Sequence, residues 1–159
     1  MSVNLKKSDQ TSQFSPIIDR MRQLQRFQFE PRTVEKIELI INSATRAQFE
    51  SQGRRGGTPW RPLAGSTVRQ RIRQGFGAGP ILLRTGRLAA ALSSGQAILS
   101  PSGSQIEMRY DQIQAEIGAR HQRGTKRMPS RPVNVLTPSD QRAISDVVAE
   151  QILNTLLGK

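Results

Sequence analysis

Residues 97–110 read AILSPSGSQIEMRY and contain the strongest strand signal in this chain of 159 residues. Two short apolar runs, 97–99 and 106–110, flank four residues that favour turns, namely Pro101, Ser102, Gly103 and Ser104. Apolar runs on both sides of such a cluster are typical of two antiparallel strands joined by a turn. The stretch therefore predicts a β-hairpin and a fold that is not purely helical.

The C-terminal segment has the clearest helix signal. Thr137 supplies a capping side chain, Pro138 suits the first helical position and Asp140 places an acid in the first turn. Apolar residues then recur at helical spacing until Gly158, namely Ile144, Val147, Val148, Ile152 and Leu156. The segment therefore predicts an amphipathic helix.

The N-terminal part predicts a flexible arm followed by two helices. Residues 1–15 are polar and show no apolar period, so we expect a flexible arm there. Residues 16–27 place apolar side chains on one helical face, and Pro31 separates this first helix from a second one. Thr33 is expected to cap the second helix, which ends near Gln48. The pair predicts an antiparallel helical hairpin.

Glycine-rich loops separate the elements in the middle of the chain. Glycines and a proline exclude regular structure from residues 51–59, and a second glycine-rich run covers residues 75–80. Between the two runs, Ser66 or Thr67 is expected to cap a short helix that ends at Ile72.

The segments next to the predicted hairpin are less regular in pattern. Residues 81–92 predict a helix, which Gly86 weakens by about 1 kcal/mol relative to alanine. Residues 113–117 are compatible with a third strand or with a helical turn, and residues 124–132 predict a basic loop.

These segments together predict an α+β fold with a flexible arm over residues 1–15 and a single domain over residues 16–159. A small antiparallel β-sheet is expected to pack with the N-terminal helical hairpin and the C-terminal helix, with long basic loops between them. The length suits one domain. The apolar content of 35% and aromatic content of 4% are low for a self-sufficient core, so we expect partner subunits to supply part of the burial.

Arginines dominate the charge of the chain, whose net charge is +12, and many of them lie in two stretches without acids. The stretches run between Glu50 and Glu107 and between Glu116 and Asp140. Such stretches attract nucleic acid or an acidic protein face, and arginine pairs well with carboxylate or phosphate. The predicted interface residues are Arg54, Arg55, Trp60, Arg61, Arg69, Arg71, Arg73, Arg123, Lys126, Arg127 and Arg131.

Two of these interface predictions have a specific basis. Trp60 is the single tryptophan and suits either a core anchor, with its indole N–H bonded to a carbonyl, or an interface hot spot. Pro129 and Pro132 stiffen the loop around Arg131, so this side chain is expected to point at a partner. Replacing Arg131 and Arg127 by alanine is therefore expected to leave the fold intact.

Catalytic, metal and cofactor sites are not expected. The chain has no cysteine, and its single histidine, His121, excludes sites with two histidine ligands. Neither glycine-rich run has the ending of a phosphate-binding P-loop, and no Gly-x-Ser-x-Gly elbow occurs. His121 is expected to hydrogen-bond main chain at a turn, with a pH switch as the alternative. We therefore predict a protein that is not an enzyme.

The sequence gives no sign of export or membrane insertion. Residues 1–13 lack the apolar run of a signal peptide, and no stretch approaches the roughly 20 apolar residues of a membrane span. A soluble protein with no membrane partner is expected.

Four short motifs follow one another between Trp60 and Pro132. They contain Trp60, Pro62, Leu63 and Thr67; Thr85, Gly86 and Leu88; His121, Gln122 and Gly124; and Pro129, Arg131 and Pro132. In this order the motifs resemble the phage virion morphogenesis family, the tail-completion proteins of Mu-like phages. The chain departs from the family pattern at two aromatic positions. Gly118 or Gln114 stands where the family has tyrosine, and Val133 stands where it has phenylalanine.

The resemblance implies a tail terminator, or tail completion, subunit of the phage neck and tail. Such a subunit would form a homohexameric ring that caps the tail tube and joins the tail to the DNA-filled head. Its expected partners are further copies of itself, the tail tube, sheath and neck or stopper proteins, and genomic DNA in the lumen without sequence reading. The expected location is the virion, after assembly in the host cytoplasm.

Two alternatives remain open on the sequence. One is a neck stopper on the head side, which would bind capsids rather than tails. The other is a nucleic-acid-binding module, which the charge favours but which few stacking aromatics support.

Overall fold

A computed structural model describes Asp19, Arg20, Arg22, Leu24 and residues 27–158 of the chain. Within these residues it contains a two-stranded sheet and five helices with defined bounds. The helices are α1 (Pro31–Glu50), α2 (Gly65–Arg73), α3 (Arg87–Leu92), α4 (Gln112–Arg123) and α5 (Pro138–Leu157), and the strands are β1 (Gln96–Leu99) and β2 (Ile106–Arg109). The α+β prediction is therefore confirmed.

The predicted arm lies outside the described residues. The predicted first helix over residues 16–27 lies mostly outside them as well, although its four described positions from Asp19 to Leu24 are helical. None of the helices in the described part of the chain is both long and apolar enough to cross a lipid bilayer.

The predicted β-hairpin is confirmed, and it is attached to α1. The two strands pair antiparallel, with Gln96 opposite Arg109 and Leu99 opposite Ile106. The main-chain N–H of Ala97 donates to Glu38 Oε2 of α1 over 2.8 Å, so the outer edge of β1 already has a partner there. Among the described residues, no comparable hydrogen bond is made to the outer edge of β2.

Helix α5 packs against α1, and its predicted start is confirmed in detail. Thr137 and Asp140 form a reciprocal capping box, in which each side chain accepts from the main-chain N–H of the other residue. Arg55 donates both to Asp140 and to the Val135 carbonyl, so the arginine-rich loop before Trp60 is attached to the start of α5. The side-chain amide of Gln151 bonds the chain around Glu30 to α5 at its other end.

The hydrophobic core lies where α1 ends. Phe49, Trp60, Leu92 and Val133 are buried together, and side chains of the segment before α3 and of α3 itself pack against them. The rings of Phe49 and Trp60 meet edge to face, with centroids 5.5 Å apart. Residues that are distant in sequence therefore form one small core.

The structure corrects the predicted cap of α1. The helix begins at Pro31, after Glu30 in the capping position, because the fixed φ angle of proline suits the first helical residue. Thr33 lies inside the helix and is buried instead of capping it. The helix continues to Glu50, slightly beyond the predicted end at Gln48.

The caps predicted for α2 are also wrong. Its main chain is already helical at Gly65 and follows Ala64, so Ser66 and Thr67 are helical residues without a capping bond. The loop over residues 51–59, predicted to lack regular structure, contains a short 3-10 turn at Arg54–Gly56. Glycines in the left-handed region on both sides of this turn allow it to form.

Only the second half of the segment 81–92, which was predicted to be one helix, is helical, because α3 begins at Arg87. Leu82 and Gly86 both adopt positive φ angles, 62° and 75°, which a right-handed helix cannot accommodate. The open choice for residues 113–117 is resolved as part of α4, which Asp111 caps by accepting from the Gln114 N–H over 3.0 Å.

Candidate functional site

The fourth motif lies beside the first in the folded chain. The indole N–H of Trp60 donates to the Pro132 carbonyl over 3.0 Å, and Gln48 Nε2 donates to the same oxygen over 2.9 Å. The predicted role of Trp60 as a core anchor bonded to a carbonyl is therefore confirmed. Because the two bonds join residues far apart in sequence, Pro132 ties the end of α1 and the first motif to the basic loop.

Arg131 forms a second tie between these motifs. Its side chain is only 5% exposed, with Nε donating to the Arg61 carbonyl over 3.1 Å and Nη2 to the Pro62 carbonyl over 3.2 Å. Its main-chain N–H donates to the His121 carbonyl over 2.7 Å, which adds the third motif. Burial lowers the pKa of Arg131, but an arginine stays charged at any ordinary pH. Carbonyl dipoles thus hold a buried positive charge.

Gln122 of the third motif forms hydrogen bonds with the residues that directly follow the fourth motif. Its side-chain Oε1 accepts from the main-chain N–H groups of Val133 and Asn134, over 2.9 and 3.1 Å, and its Nε2 donates to the Asn134 carbonyl. The amide therefore satisfies main-chain groups in the way a neighbouring strand would. Gly124 permits the close approach, because a Cβ atom there would lie 2.7 Å from the main-chain nitrogen of Ser130.

The second motif contributes to the core and to a cleft. Leu88 packs on the core, and Gly86 precedes α3 with a positive φ angle. Thr85 lines a cleft of about 430 Å³ together with Leu63 and Thr67 of the first motif and His121 of the third. Residues of three motifs, which are separate in sequence, therefore meet at this cleft.

The charge of this cleft is entirely positive. Arg71, Arg84 and Arg87 line it, and no aspartate or glutamate is among its lining residues. We call this cavity the cationic cleft and define it by Arg71, Arg84, Arg87, Thr67, Thr85 and His121. The Nη1 atom of Arg71 donates to the Pro80 carbonyl over 3.2 Å, which fixes the side chain.

His121 is one of the residues that line this cleft. Burial lowers the pKa of the ring, and the nearby charge of Arg131 lowers it further, so the ring is neutral at pH 7. Its Nδ1 atom is buried and makes no hydrogen bond with the described residues. The turn contact expected from the side chain comes instead from the main-chain oxygen, which accepts from Arg131.

The structure separates the predicted interface residues into two groups. Most are exposed, namely Arg54, Arg61, Arg69, Arg73, Arg123, Lys126 and Arg127, while Arg55 is half-buried against Asp140. Trp60, Arg71 and Arg131 are each 5% exposed. Each of these three side chains donates to main-chain carbonyls of the same chain and so has a role in the fold, while its part in a contact with a partner stays a prediction.

Sequence reasoning missed the cationic cleft and the roles of Gln48 and Gln122 as internal ties. Arg84 and Arg87 were visible only as members of the acid-free stretch, and nothing in their spacing distinguishes them from the exposed arginines. In the part of the chain that the structure describes, no cluster of acidic and histidine side chains could hold a metal ion.

Comparison with known proteins agrees with the order of the motifs. The model of the phage virion morphogenesis family matches residues 10–153, which include all four motifs and most of α5. No curated protein and no solved structure matches the chain. The chain therefore belongs to the phage virion morphogenesis family and has a structural role in building the phage particle.

Proposed function

We propose that this chain is a tail terminator subunit, which forms a homohexameric ring that caps the tail tube and joins the tail to the DNA-filled head. Membership of the family supports a role in virion assembly. The observation that carries the more specific proposal is the apolar surface that the single chain leaves uncovered, which a ring of identical subunits would bury.

Large apolar side chains are exposed on several elements. Leu153 and Leu157 are more than half exposed and lie four residues apart, hence on one face of α5. Ile113 at the start of α4 and Leu39 in the middle of α1 are also more than half exposed. A ring contact of the head-to-tail type needs two different faces of each subunit, and these residues supply apolar contacts on different elements.

The hairpin supplies a further contact. Glu38 bonds to the outer edge of β1, whereas no described residue bonds to the outer edge of β2. A strand or extended segment of a neighbouring subunit can add to such an edge by main-chain hydrogen bonds. An apolar groove of about 430 Å³, lined by Phe29, Ile37, Ile106 and Val148 among others, runs beside β2 and would bury apolar side chains of the same neighbour.

The exposed arginines suit the remaining partners. Arg54, Arg61, Arg69 and Arg73 are exposed in an acid-free stretch, and Arg127 is exposed in the basic loop. On outer faces these side chains would pair with acidic residues of tube, sheath or neck proteins. Any that line the lumen would contact genome phosphates without reading sequence.

The test is electron microscopy of lysates from a phage that lacks this chain, with native mass spectrometry of the purified protein. Filled heads beside unjoined tails of abnormal length, together with a six-subunit mass, are the expected result. Empty or leaking heads beside tails of normal length would assign the protein to the head side as a neck stopper. A monomer that binds naked DNA in a salt-dependent way would favour the nucleic-acid-binding module instead.

A further inference from the structure

The cationic cleft brings together arginines from two segments of the chain. Arg71 lies in α2, whereas Arg84 precedes α3 and Arg87 is its first residue, and all three line the cleft. Arg84 and Arg87 are exposed, so their side chains can contact a ligand. The Arg71 Nε and His121 Nδ1 atoms, which make no hydrogen bond with the described residues, are covered by protein and are not part of the surface that a ligand would contact.

The charges around the cleft indicate an anionic ligand. Arg71 is only 5% exposed, and the bond from its Nη1 atom to the Pro80 carbonyl holds its positive charge in the wall of the cleft. Arg84 is held beside the cleft by the ring of Phe76, 5.3 Å from its guanidinium carbon, and by a bond to Gln74. With Arg87 also present and no acid in the lining, a bound anion would meet only positive charge.

The size and walls of the cleft distinguish between anions. A volume of about 430 Å³ admits a side chain or a small molecule, whereas a double helix is far larger. Leu63, Leu82, Leu88 and Ile117 give the cleft apolar walls between its charged groups. A carboxylate on a short methylene stem satisfies both features, because the stem contacts the walls while the oxygens reach the arginines.

We propose that the cationic cleft binds a glutamate or aspartate side chain from an acidic segment of another virion protein. This chain has twice as many basic as acidic residues, 24 against 12, so a second copy of itself is the poorer source of carboxylates. The statement that the carboxylate comes from another virion protein rests on the proposed function. The binding of a carboxylate in the cleft is a property of the purified chain and is tested separately.

The binding test uses N-acetyl-glutamate α-amide as the probe and N-acetyl-glutamine α-amide as the uncharged control. His121 is the only histidine, so labelling its ring with 13C at Cε1 alone gives one unambiguous NMR signal at the cleft. We expect the glutamate probe to shift this signal in a saturable way and the glutamine probe to leave it nearly unchanged. Equal shifts with both probes would overturn the proposal.

A matched pair of double variants separates the cleft from the general positive field. Arg84→Gln with Arg87→Gln removes two charges that line the cleft, whereas Arg46→Gln with Arg142→Gln removes two exposed charges outside it, at positions with no part in the proposed contacts. We expect the cleft variant to weaken glutamate binding at least about tenfold, the effect of losing charge-assisted hydrogen bonds, and the control variant less than about twofold. Equal weakening by the two variants would contradict a specific site.

The same variants test the partner in phage assembly. We expect the cleft variant to leave tails unjoined and the control variant to join them. Normal joining by a cleft variant that has lost glutamate binding would overturn the proposed partner. If a phage lacking this chain shows no tail or neck defect while the purified chain still binds the glutamate probe, the proposed function fails and the carboxylate site stands. A short DNA duplex that shifts the His121 signal more than the glutamate probe would overturn the choice of a carboxylate.

Discussion

Replacing Arg131 by methionine should destabilise the protein by about 3 kcal/mol. The methionine side chain fills a similar length but donates no hydrogen bonds, so the carbonyls of Arg61 and Pro62 lose the donors that lie 3.1 and 3.2 Å away. A hydrogen bond to a charged group contributes about 1.5 to 3 kcal/mol, and two bonds at the lower value give about 3 kcal/mol. We use the lower value because removing a buried charge also removes its desolvation cost.

The assay is urea denaturation at pH 7, at one fixed protomer concentration so that any assembly contributes equally. The matched control is Arg127→Ala in the same basic loop, where the side chain is exposed and the expected change is below about 0.5 kcal/mol. An Arg131→Met variant as stable as the control would refute the role of Arg131 as an internal tie. The expectation from sequence, that replacing Arg131 leaves the fold intact, is the alternative under test.

Three further predictions concern stability. Gly124→Ala should be more destabilising than Gly75→Ala in urea denaturation, by about 1 kcal/mol or more, because both residues have positive φ angles but only at Gly124 would a Cβ atom meet main chain. The hydrogen bond from Arg55 is the main cause that lowers the pKa of Asp140. The stability contributed by the Asp140 carboxylate is therefore complete above pH 3.8 and is lost as pH falls further. Asp140→Asn should abolish this loss and lower the free energy of unfolding by about 1 to 2 kcal/mol at pH 7. Burial is the main cause that lowers the pKa of His121, so the unfolded chain binds a proton at a higher pH than the folded chain does. The free energy of unfolding therefore falls as pH drops below 6.5, and His121→Gln should flatten the dependence of this free energy on pH in that range.

The elements that sequence predicted best are those specified by neighbouring residues. The hairpin follows from apolar runs around a turn, and the start of α5 follows from Thr137, Pro138 and Asp140, which act within one helical turn of each other. The indole N–H of Trp60 was expected to find a carbonyl on general grounds. The identity of that carbonyl was not predictable, because Pro132 lies 72 residues further along the chain.

Helix α2 shows why the cleft was not predictable. Ile72 is 55% exposed while its neighbour Arg71 is 5% exposed, although the apolar side chain would be expected to be the buried one. The orientation of so short a helix depends on tertiary contacts, here the bond from Arg71 to the Pro80 carbonyl and the packing of the loop that follows. Similarly, the positive φ angle of Leu82 has no local signal, since leucine rarely adopts this conformation.

The motif residues explain why the family was recognisable while its partners were not. The side chains of Trp60, Gln122 and Arg131 bond to main-chain groups of the same chain, and the Pro132 carbonyl accepts from the side chains of Trp60 and Gln48. These residues therefore specify how the loops fold onto α1 and α4. A motif of this kind identifies a fold and, through the family, a role in the virion. Specificity for the proposed partners would come from groups left free after folding. Among the described residues, those groups are the exposed arginines, the apolar residues on the outer faces and the Arg84 and Arg87 side chains that line the cationic cleft. Variants of partner choice should therefore be designed around the cleft before the motifs, since changes in the motifs would alter folding and binding together.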